Sequence, residues 1–276
     1  MPDPAAPALS AHSAVPHATA APHATALPAP TLHPGARDRG PTLMRADWHG
    51  STPLSIGRFM ANSTSHWPGR TVAVVYVQGC PWRCGYCFDP SMQSDDPAAA
   101  WRWEDVVASV SARRGELDGV VFTGGEPTRQ PALGRAMALM RELGIAVGLH
   151  TGGAYPARLE RVLPLVNWVS LDIKASPGSY GRITGLAMAG EAAFQSLRHV
   201  QAARVPFEVT VTVDPTVHSR DEILDLADHL EARGVPRVVL QEAEATLANP
   251  DYAARLAGRG IGAVLEPADL GRFAVR

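Results

Sequence analysis

Residues 71–87 read TVAVVYVQGCPWRCGYC, an apolar and largely β-branched run that leads directly into three cysteines. The apolar character of Thr71–Gln78 predicts a strand buried on both faces, as in a parallel sheet. Similar runs predict five further strands: Gly119–Phe122, Ile145–His150, Trp168–Asp172, Phe207–Val213 and Arg237–Gln241. Amphipathic segments between the strands predict helices over residues 103–114, 130–143, 156–163, 190–203 and 221–233. This alternation indicates repeated βα units and therefore an α/β fold with a parallel sheet.

The composition of the chain limits the functional classes to which the protein can belong. Its 276 residues are 46% hydrophobic, and 25 Lys+Arg against 27 Asp+Glu give a net charge of -2. This balance predicts neither a nucleic-acid groove nor a polybasic membrane patch. No run approaches the roughly 20 apolar residues that span a bilayer, and the start lacks a signal-peptide core, so a cytoplasmic location is expected. The 3 cysteines fall within eight residues, which favours a metal site over a disulfide framework.

The beginning of the chain differs from the rest. Residues 1–45 are dominated by Ala, Pro, His and Thr, so this stretch is predicted to be a disordered tail before a domain at 46–276. The tail carries His12, His17, His23 and His33. Their irregular spacing favours a solvated low-complexity extension over a metal chelate.

Polar residues gather where the predicted strands end. Cys80 follows the first strand and Glu126 the second, while Thr151, Asp172 and Glu242 follow or end later strands. Ligands of parallel α/β folds bind at the carboxyl ends of the strands. The pattern therefore predicts one site on top of a partial barrel.

The three cysteines, Cys80, Cys84 and Cys87, are separated by three and then two residues. Three thiolates can bind three irons of a cubane and leave the fourth iron open to a small chelating molecule. A zinc site completed by His66 or His150 is the alternative, and free structural cysteines are another.

The loop, with Tyr86 directly before the last cysteine, resembles the signature of the radical S-adenosylmethionine superfamily. Gly124–Gly125–Glu126–Pro127, one βα unit later, resembles the GGE motif of that superfamily. Two glycines let a ligand approach the backbone, and Glu126 supplies an anion for an ammonium group. A tight strand-to-helix turn is the alternative explanation of the glycines alone.

Over residues 54–245 the likeness extends to the glycyl-radical-activating branch, closest to anaerobic ribonucleoside-triphosphate reductase activating proteins, with pyruvate formate-lyase activating enzyme as a relative. The segments that carry it are His66–Gly69, Val77–Cys80, Gly148–Thr151, Trp168–Lys174 and Tyr180–Gly185. The resemblance implies an incomplete (β/α)6 TIM-like barrel that reductively cleaves S-adenosylmethionine at a [4Fe–4S] cluster. The resulting 5′-deoxyadenosyl radical would take a hydrogen atom from a glycine of the partner enzyme. A flavodoxin- or ferredoxin-type protein would supply the electron.

The resemblance also implies roles for individual residues. Cys80, Cys84 and Cys87 would ligate the cluster, and Tyr86 would pack near the adenine. Gly124, Gly125 and Glu126 would hold the methionyl end, while Thr151, Asp172 and Lys174 would lie near the ribose and carboxylate. Asp172 and Lys174 have a structural ion pair as their alternative, and His150 a role as a core histidine.

The chain departs from the branch at several positions. It has Phe88–Asp89 where His–Asn is common, His66 in place of an acidic residue, Gly152 in place of Asn, and Thr210 in place of Arg. These departures concern the partner and the fine cofactor contacts and leave the cluster ligands unchanged. Two other functions are alternatives. One is radical chemistry on a small molecule, as in 7-carboxy-7-deazaguanine synthase, and the other is a non-catalytic metal-binding module.

Overall fold

The computed structural model describes residues 53–94, 100–235 and 237–276. The predicted tail over residues 1–45 and its four histidines lie outside the described residues. The division of the chain at residue 45 stays a prediction.

One sheet of eight strands, in sequence order from β1 to β8, forms the centre of the fold. The first strand is antiparallel to the second, and every later pair is parallel. The strands are β1 Ile56–Ser63, β2 Val72–Val77, β3 Gly119–Gly124, β4 Ala146–Thr151, β5 Trp168–Asp172, β6 Phe207–Val213, β7 Val238–Glu242 and β8 Ala274–Val275. The predicted α/β fold with a parallel sheet is confirmed.

Helices connect the parallel strands. They are α1 Trp103–Ala112, α2 Leu133–Glu142, α3 Pro156–Val162, α4 Tyr180–Thr184, α5 Ala189–Ala203, α6 Arg220–Glu231, α7 Pro250–Leu256 and α8 Pro267–Leu270. The five predicted helices correspond to α1, α2, α3, α5 and α6 with ends shifted by up to three residues. Their buried residues recur at helical spacing, such as Leu133, Met137 and Met140 in α2.

The sequence prediction missed β1, β8 and the three short helices α4, α7 and α8. The sequence IGRFMANS of β1 is broken by Gly57 and by polar residues, and its pairing with β2 contains two register irregularities. A two-residue strand such as β8 has no periodicity to detect. Its position depends on the neighbouring strand β7.

The two edge strands of the sheet, β1 and β8, leave the barrel open. Arg58 and Met60 of β1 nevertheless line the same cavity as Val275 of β8 and the adjacent Arg276. The sheet therefore curves until both edges face one space. This arrangement agrees with the predicted incomplete barrel.

Trp67, from the connection between β1 and β2, fills the barrel floor. It stacks on Trp168 with ring centroids 5.4 Å apart. A Cβ atom at Gly148 would lie 2.9 Å from Cε3 of Trp67, so the absent side chain makes room for the indole. The cavity described below is lined instead by residues at the carboxyl ends of the strands.

No helix within the described ranges combines the length and apolar character needed to cross a membrane.

Candidate active site

A cavity of about 960 Å³ lies at the carboxyl ends of the parallel strands. Its lining contains residues of the cysteine loop and the double-glycine turn together with residues of the sheet edges. The predicted site residues that line the cavity are Cys80, Cys84, Tyr86, Cys87, Gly124, Gly125, Glu126, Asp172 and Lys174. The fold thus brings together nine of the ten residues that the sequence singled out.

The cysteine loop presents three free, half-buried thiols to this cavity. Backbone contacts fix the loop: Cys87 donates to the carbonyl of Cys84 at 3.1 Å, and Arg83 donates to the carbonyl of Thr184 at 2.9 Å. Burial raises the pKa of the Cys80 thiol to about 12, and burial also raises the pKa of Cys84. Thiolates are the metal-ligating form, so binding of iron at this loop would release protons.

The double-glycine turn lies directly against the start of the cysteine loop. The backbone N–H of Glu126 donates to the carbonyl of Gly79 at 2.9 Å, next to Cys80. A Cβ at Gly125 would lie 2.4 Å from that same oxygen. Gly124 has φ +117°, and a Cβ there would lie 2.4 Å from the backbone nitrogen of Val77. Only glycine allows the two motifs to approach this closely.

The Glu126 carboxylate is a buried acceptor with a relative exposure of 1%. Its Oε1 accepts bonds from Thr128 N at 3.0 Å and from Thr151 Oγ1 at 2.6 Å, and its Oε2 accepts a bond from Gly152 N at 2.9 Å. The Thr128 hydroxyl is a fourth donor. These bonds join the end of β3 to the end of β4 and fix the turn that faces the cysteines.

Thr151 is the predicted site residue outside the cavity wall. Its side chain is buried, and its hydroxyl donates to Glu126. Successive residues of a strand face opposite sides, so the flanking residues His150 and Gly152 line the cavity instead. Thr151 therefore supports the turn from behind. Thr210 is likewise buried, while Thr212, two residues later, reaches the cavity.

Asp172 and Lys174 form an ion pair with each other at the end of β5. The side-chain exposure of Lys174 is only 10%. Burial alone lowers the pKa of Lys174, but the neighbouring Asp172 carboxylate outweighs burial and holds this pKa well above its ordinary value. The lysine is therefore a fixed positive charge beside Cys84. The predicted alternative of a structural ion pair is thus present in the structure.

Two buried polar atoms of this wall have no hydrogen-bond partner within the described residues, namely Asp172 Oδ1 and the Tyr86 hydroxyl. Buried polar groups are normally paired. A ligand with hydroxyl or amine groups could form hydrogen bonds with both atoms. These residues fit a polar cofactor next to a cluster held by the three thiols.

The zinc alternative needs a histidine with a free ring nitrogen. His66 uses both nitrogens: Nδ1 lies 2.7 Å from Ser63 Oγ, and Nε2 lies 2.8 Å from the Tyr76 hydroxyl. His150 Nε2 lies 2.6 Å from the His66 carbonyl oxygen. Zinc binding through either residue would break these contacts or need the remaining nitrogen of His150. Among the residues that the structure describes, no group of three or more His, Cys, Asp or Glu side chains is arranged to hold a single metal ion. This includes the three cysteines, each of which would bind a different iron of a cluster.

Several supporting residues were missed by the sequence reasoning. The Tyr180 hydroxyl accepts a bond from the backbone N–H of Lys174 at 2.9 Å. His218 Nε2 lies 3.2 Å from the Lys174 carbonyl oxygen, and its ring is 6.2 Å from that of Tyr86. Trp82 is a third supporting residue, and its position between the predicted ligands Cys80 and Cys84 is a local signal that could have identified it. Contacts of Tyr180 and His218 come from distant segments and leave no local pattern.

A curved parallel sheet with three thiols and a glycine turn at its carboxyl edge defines an α/β enzyme of the partial-barrel class. The sequence profile of the Radical SAM superfamily matches residues 74–227. The chain belongs to this superfamily and is a radical S-adenosylmethionine enzyme, a class that works with S-adenosylmethionine and an iron–sulfur cluster.

Similar proteins fall in several branches of the superfamily. The chain is 30% identical over 175 residues to the pyruvate formate-lyase-activating enzyme of Clostridium pasteurianum, covering 60% of this chain and 73% of that protein. It is 24% identical over 172 residues to a putative glycyl-radical enzyme activating enzyme of Methanocaldococcus jannaschii, covering 60% and 70%. It is 30% identical over 126 residues to 7-carboxy-7-deazaguanine synthase of Thermococcus kodakarensis, covering 38% and 50%.

Solved structures agree with the fold. Streptococcus suis SuiB bound to precursor peptide SuiA matches with a TM-score of 0.53 and 15% identity, covering 74% of this chain and 48% of SuiB. TYW1 with a lysine-pyruvate adduct matches with a TM-score of 0.51 and 19% identity, covering 68% and 72%. The chain thus spans about half of the SuiB length, and at these identities the likeness concerns the fold alone.

Proposed function

We propose that this protein activates a glycyl-radical enzyme, and specifically an anaerobic ribonucleoside-triphosphate reductase, by reductive cleavage of S-adenosylmethionine at a [4Fe–4S] cluster. The observation that carries the proposal is the direct hydrogen bond from Glu126 N to the Gly79 carbonyl. This bond brings a cysteine loop and a double-glycine turn into one cavity wall. A cofactor held by the turn would then lie beside a cluster held by the loop.

In this proposal Cys80, Cys84 and Cys87 hold three irons and leave the fourth to the cofactor. The bound cluster and S-adenosylmethionine together supply the reductive cleavage that yields a 5′-deoxyadenosyl radical. The protein supplies orientation and electrostatics. The cofactor contacts proposed are Tyr86, Gly124, Gly125, Glu126, Asp172 and Lys174, with Thr151 acting through the Glu126 carboxylate that it bonds.

The cofactor contacts can be divided by the charges they offer. The Glu126 carboxylate accepts four neutral donors and would attract the ammonium group of a methionyl moiety. Asp172 Oδ1, which has no hydrogen-bond partner in the described part of the chain, would accept a bond from a ribose hydroxyl. The two glycines contribute indirectly, because their missing side chains let the turn that carries Glu126 pack against Val77 and Gly79, next to the cysteine loop.

Two observations support a protein substrate. The relatives aligned over 175 and 172 residues are activating enzymes, and the sheet is open between β1 and β8, where the loop of another protein could reach the cavity. The exposed Phe88, which follows the last cysteine and lines the cavity, offers an apolar contact for such a loop. A flavodoxin- or ferredoxin-type donor is the proposed source of the electron.

A second candidate is radical chemistry on a small molecule. The observation in its favour is the 30% identity to 7-carboxy-7-deazaguanine synthase over 126 residues. The cavity lining also contains the polar residues Gln241, Glu242 and Arg276, which are compatible with a small polar substrate.

The first test is anaerobic reconstitution with iron and sulfide, followed by dithionite and S-adenosylmethionine. We expect about four irons and four sulfides per chain, and release of 5′-deoxyadenosine and methionine. Substituting the three cysteines by alanine should abolish cluster formation and the release of the two products. Gly178→Ala, which has no atom within 4 Å of the added Cβ, should leave cluster content and product release unchanged. A wild-type protein that binds zinc and no sulfide would overturn the proposal.

The second test separates the substrates. The reduced protein is mixed in parallel with an anaerobic ribonucleotide reductase, with pyruvate formate-lyase and with the substrate of 7-carboxy-7-deazaguanine synthase. A glycyl-radical doublet in electron paramagnetic resonance with the reductase alone is expected. A doublet only with pyruvate formate-lyase would reassign the partner, and product from the small molecule would favour the second candidate.

A further inference from the structure

Trp82 lies in the middle of the cysteine loop, between Cys80 and Cys84, and is only 3% exposed. Its indole occupies the space beside Gly152, at the end of β4. A Cβ atom at Gly152 would lie 2.2 Å from Cζ3 and 2.8 Å from Cη2 of this ring. The backbone of Gly152 is outside the left-handed region, so the conflict at this position is steric, and the three atoms nearest to an added Cβ all belong to the indole. Trp82 and Gly152 are therefore sterically matched.

The same indole contacts the buried cation of β5. The Lys174 ammonium lies 5.7 Å from the ring centroid of Trp82 and 5.4 Å from that of Tyr86. Trp82 and Tyr86 come two residues before and two residues after Cys84, so the loop contacts the Lys174 ammonium on both sides of this cysteine. Cation–π contacts of desolvated ammonium groups are among the stronger ones in proteins.

Further contacts hold this two-ring arrangement. The Tyr180 ring packs edge-on against Trp82 with centroids 6.0 Å apart, and the Tyr180 hydroxyl accepts a bond from Lys174 N. Asp172 pairs with the Lys174 ammonium from the strand itself. Lys174 is thus fixed by a hydrogen bond at its backbone N–H, by the Asp172 carboxylate and by two aromatic rings.

We propose that Trp82 is a positioning residue: by filling the Gly152 space and enclosing the Lys174 ammonium together with Tyr86, it fixes the cysteine loop and a positive charge beside the cluster. The inference rests on the proposed cluster at Cys80, Cys84 and Cys87. A loop ordered in advance loses less conformational entropy when the cluster binds. A fixed cation favours the reduced cluster, which carries one more negative charge. The Gly152 departure from the branch pattern is explained by the indole.

The test uses reconstituted protein and measures iron release to a chelator, the midpoint potential of the cluster and urea unfolding of the metal-free protein. Trp82→Leu should release iron about 10- to 100-fold faster, if the loss of metal affinity that is typical when supporting residues around a metal site are removed is expressed in the release rate. Its midpoint potential should be lower than that of the wild type. Trp82→Phe keeps an aromatic face and should restore most of the potential. Trp67→Leu, a similarly buried indole at the barrel floor, is the matched control and should change neither the release rate nor the potential.

A steric swap tests the match with Gly152. Gly152→Ala should accelerate iron release because its Cβ displaces the indole. Trp82→Leu/Gly152→Ala should release iron no faster than Trp82→Leu alone, since the smaller leucine side chain leaves room for the Cβ added at position 152. The inference is overturned if the two effects multiply, or if Trp82→Leu keeps its cluster and potential as the Trp67→Leu control does. If the wild type itself forms no cluster, the proposed function fails instead, and unfolding of the metal-free variants then reports only on packing.

Discussion

Replacing Glu126 by glutamine perturbs the most heavily bonded side chain of the site. The carboxylate receives four hydrogen bonds, three at Oε1 and one at Oε2 from Gly152 N. The best orientation of glutamine keeps the acceptor at Oε1 and directs its NH₂ group at the Gly152 N–H. One charge-assisted bond is then lost, and the other three become neutral.

The expected cost follows from these bonds. Hydrogen bonds to charged groups contribute about 1.5–3 kcal/mol and neutral ones about 1 kcal/mol. Gly152 is half-buried, so water replaces part of the lost bond. We therefore expect Glu126→Gln to lower the free energy of unfolding by at least about 3 kcal/mol, which is the lower limit of the summed losses.

Urea unfolding of the metal-free protein, followed by circular dichroism, measures this loss without interference from cofactor binding. Glu244→Gln, an exposed glutamate on the same cavity, is the control and should change stability by less than about 0.5 kcal/mol. Thr151→Val removes a charge-assisted bond to Glu126 and the acceptor for Gly153 N, so it should cost about 2–3 kcal/mol, and Thr151→Ser should recover most of it. A loss below about 1 kcal/mol for Glu126→Gln would show that these bonds do not hold the turn.

Two further predictions concern other contacts of the cavity. Asp89→Asn removes the ion pair with Arg58 but keeps the acceptor for Ser91 N, so it should cost about 1 kcal/mol of stability at low salt and little at 1 M salt. Thermal melts at both salt concentrations measure this difference. Glu104→Gln, in the exposed pair with Arg102, is the control, and its melting temperature should barely change. Burial, and then the neighbouring His66, lower the pKa of His150 from 6.5 to about 3. A histidine held neutral in this way contributes stability that is fully present above about pH 6.5 and is lost as the pH falls towards 3, at no more than about 1.4 kcal/mol per pH unit. His150→Gln should therefore flatten the dependence of unfolding free energy on pH between 6.5 and 4.5, and an unchanged slope would contradict the assigned burial.

Local sequence patterns were enough to place most strands and helices. The bounds of Trp168–Asp172 and Phe207–Val213 agree with the observed β5 and β6, because buried parallel strands are continuous apolar runs that can be recognised locally. The cysteine spacing and the glycine pair were also visible locally, as was the expectation that both lie at the carboxyl edge of the sheet. The bond between Glu126 N and the Gly79 carbonyl agrees with that expectation.

The division of roles among the side chains emerged only from the folded chain. The pleat of β4 turns Thr151 behind Glu126 and leaves Gly152 beside Trp82, a contact across 70 residues of chain. The edge strands β1 and β8 acquire their place from pairing with neighbours rather than from their own periodicity. Such contacts depend on how distant segments pack around one cavity, and no local pattern of residues encodes that packing.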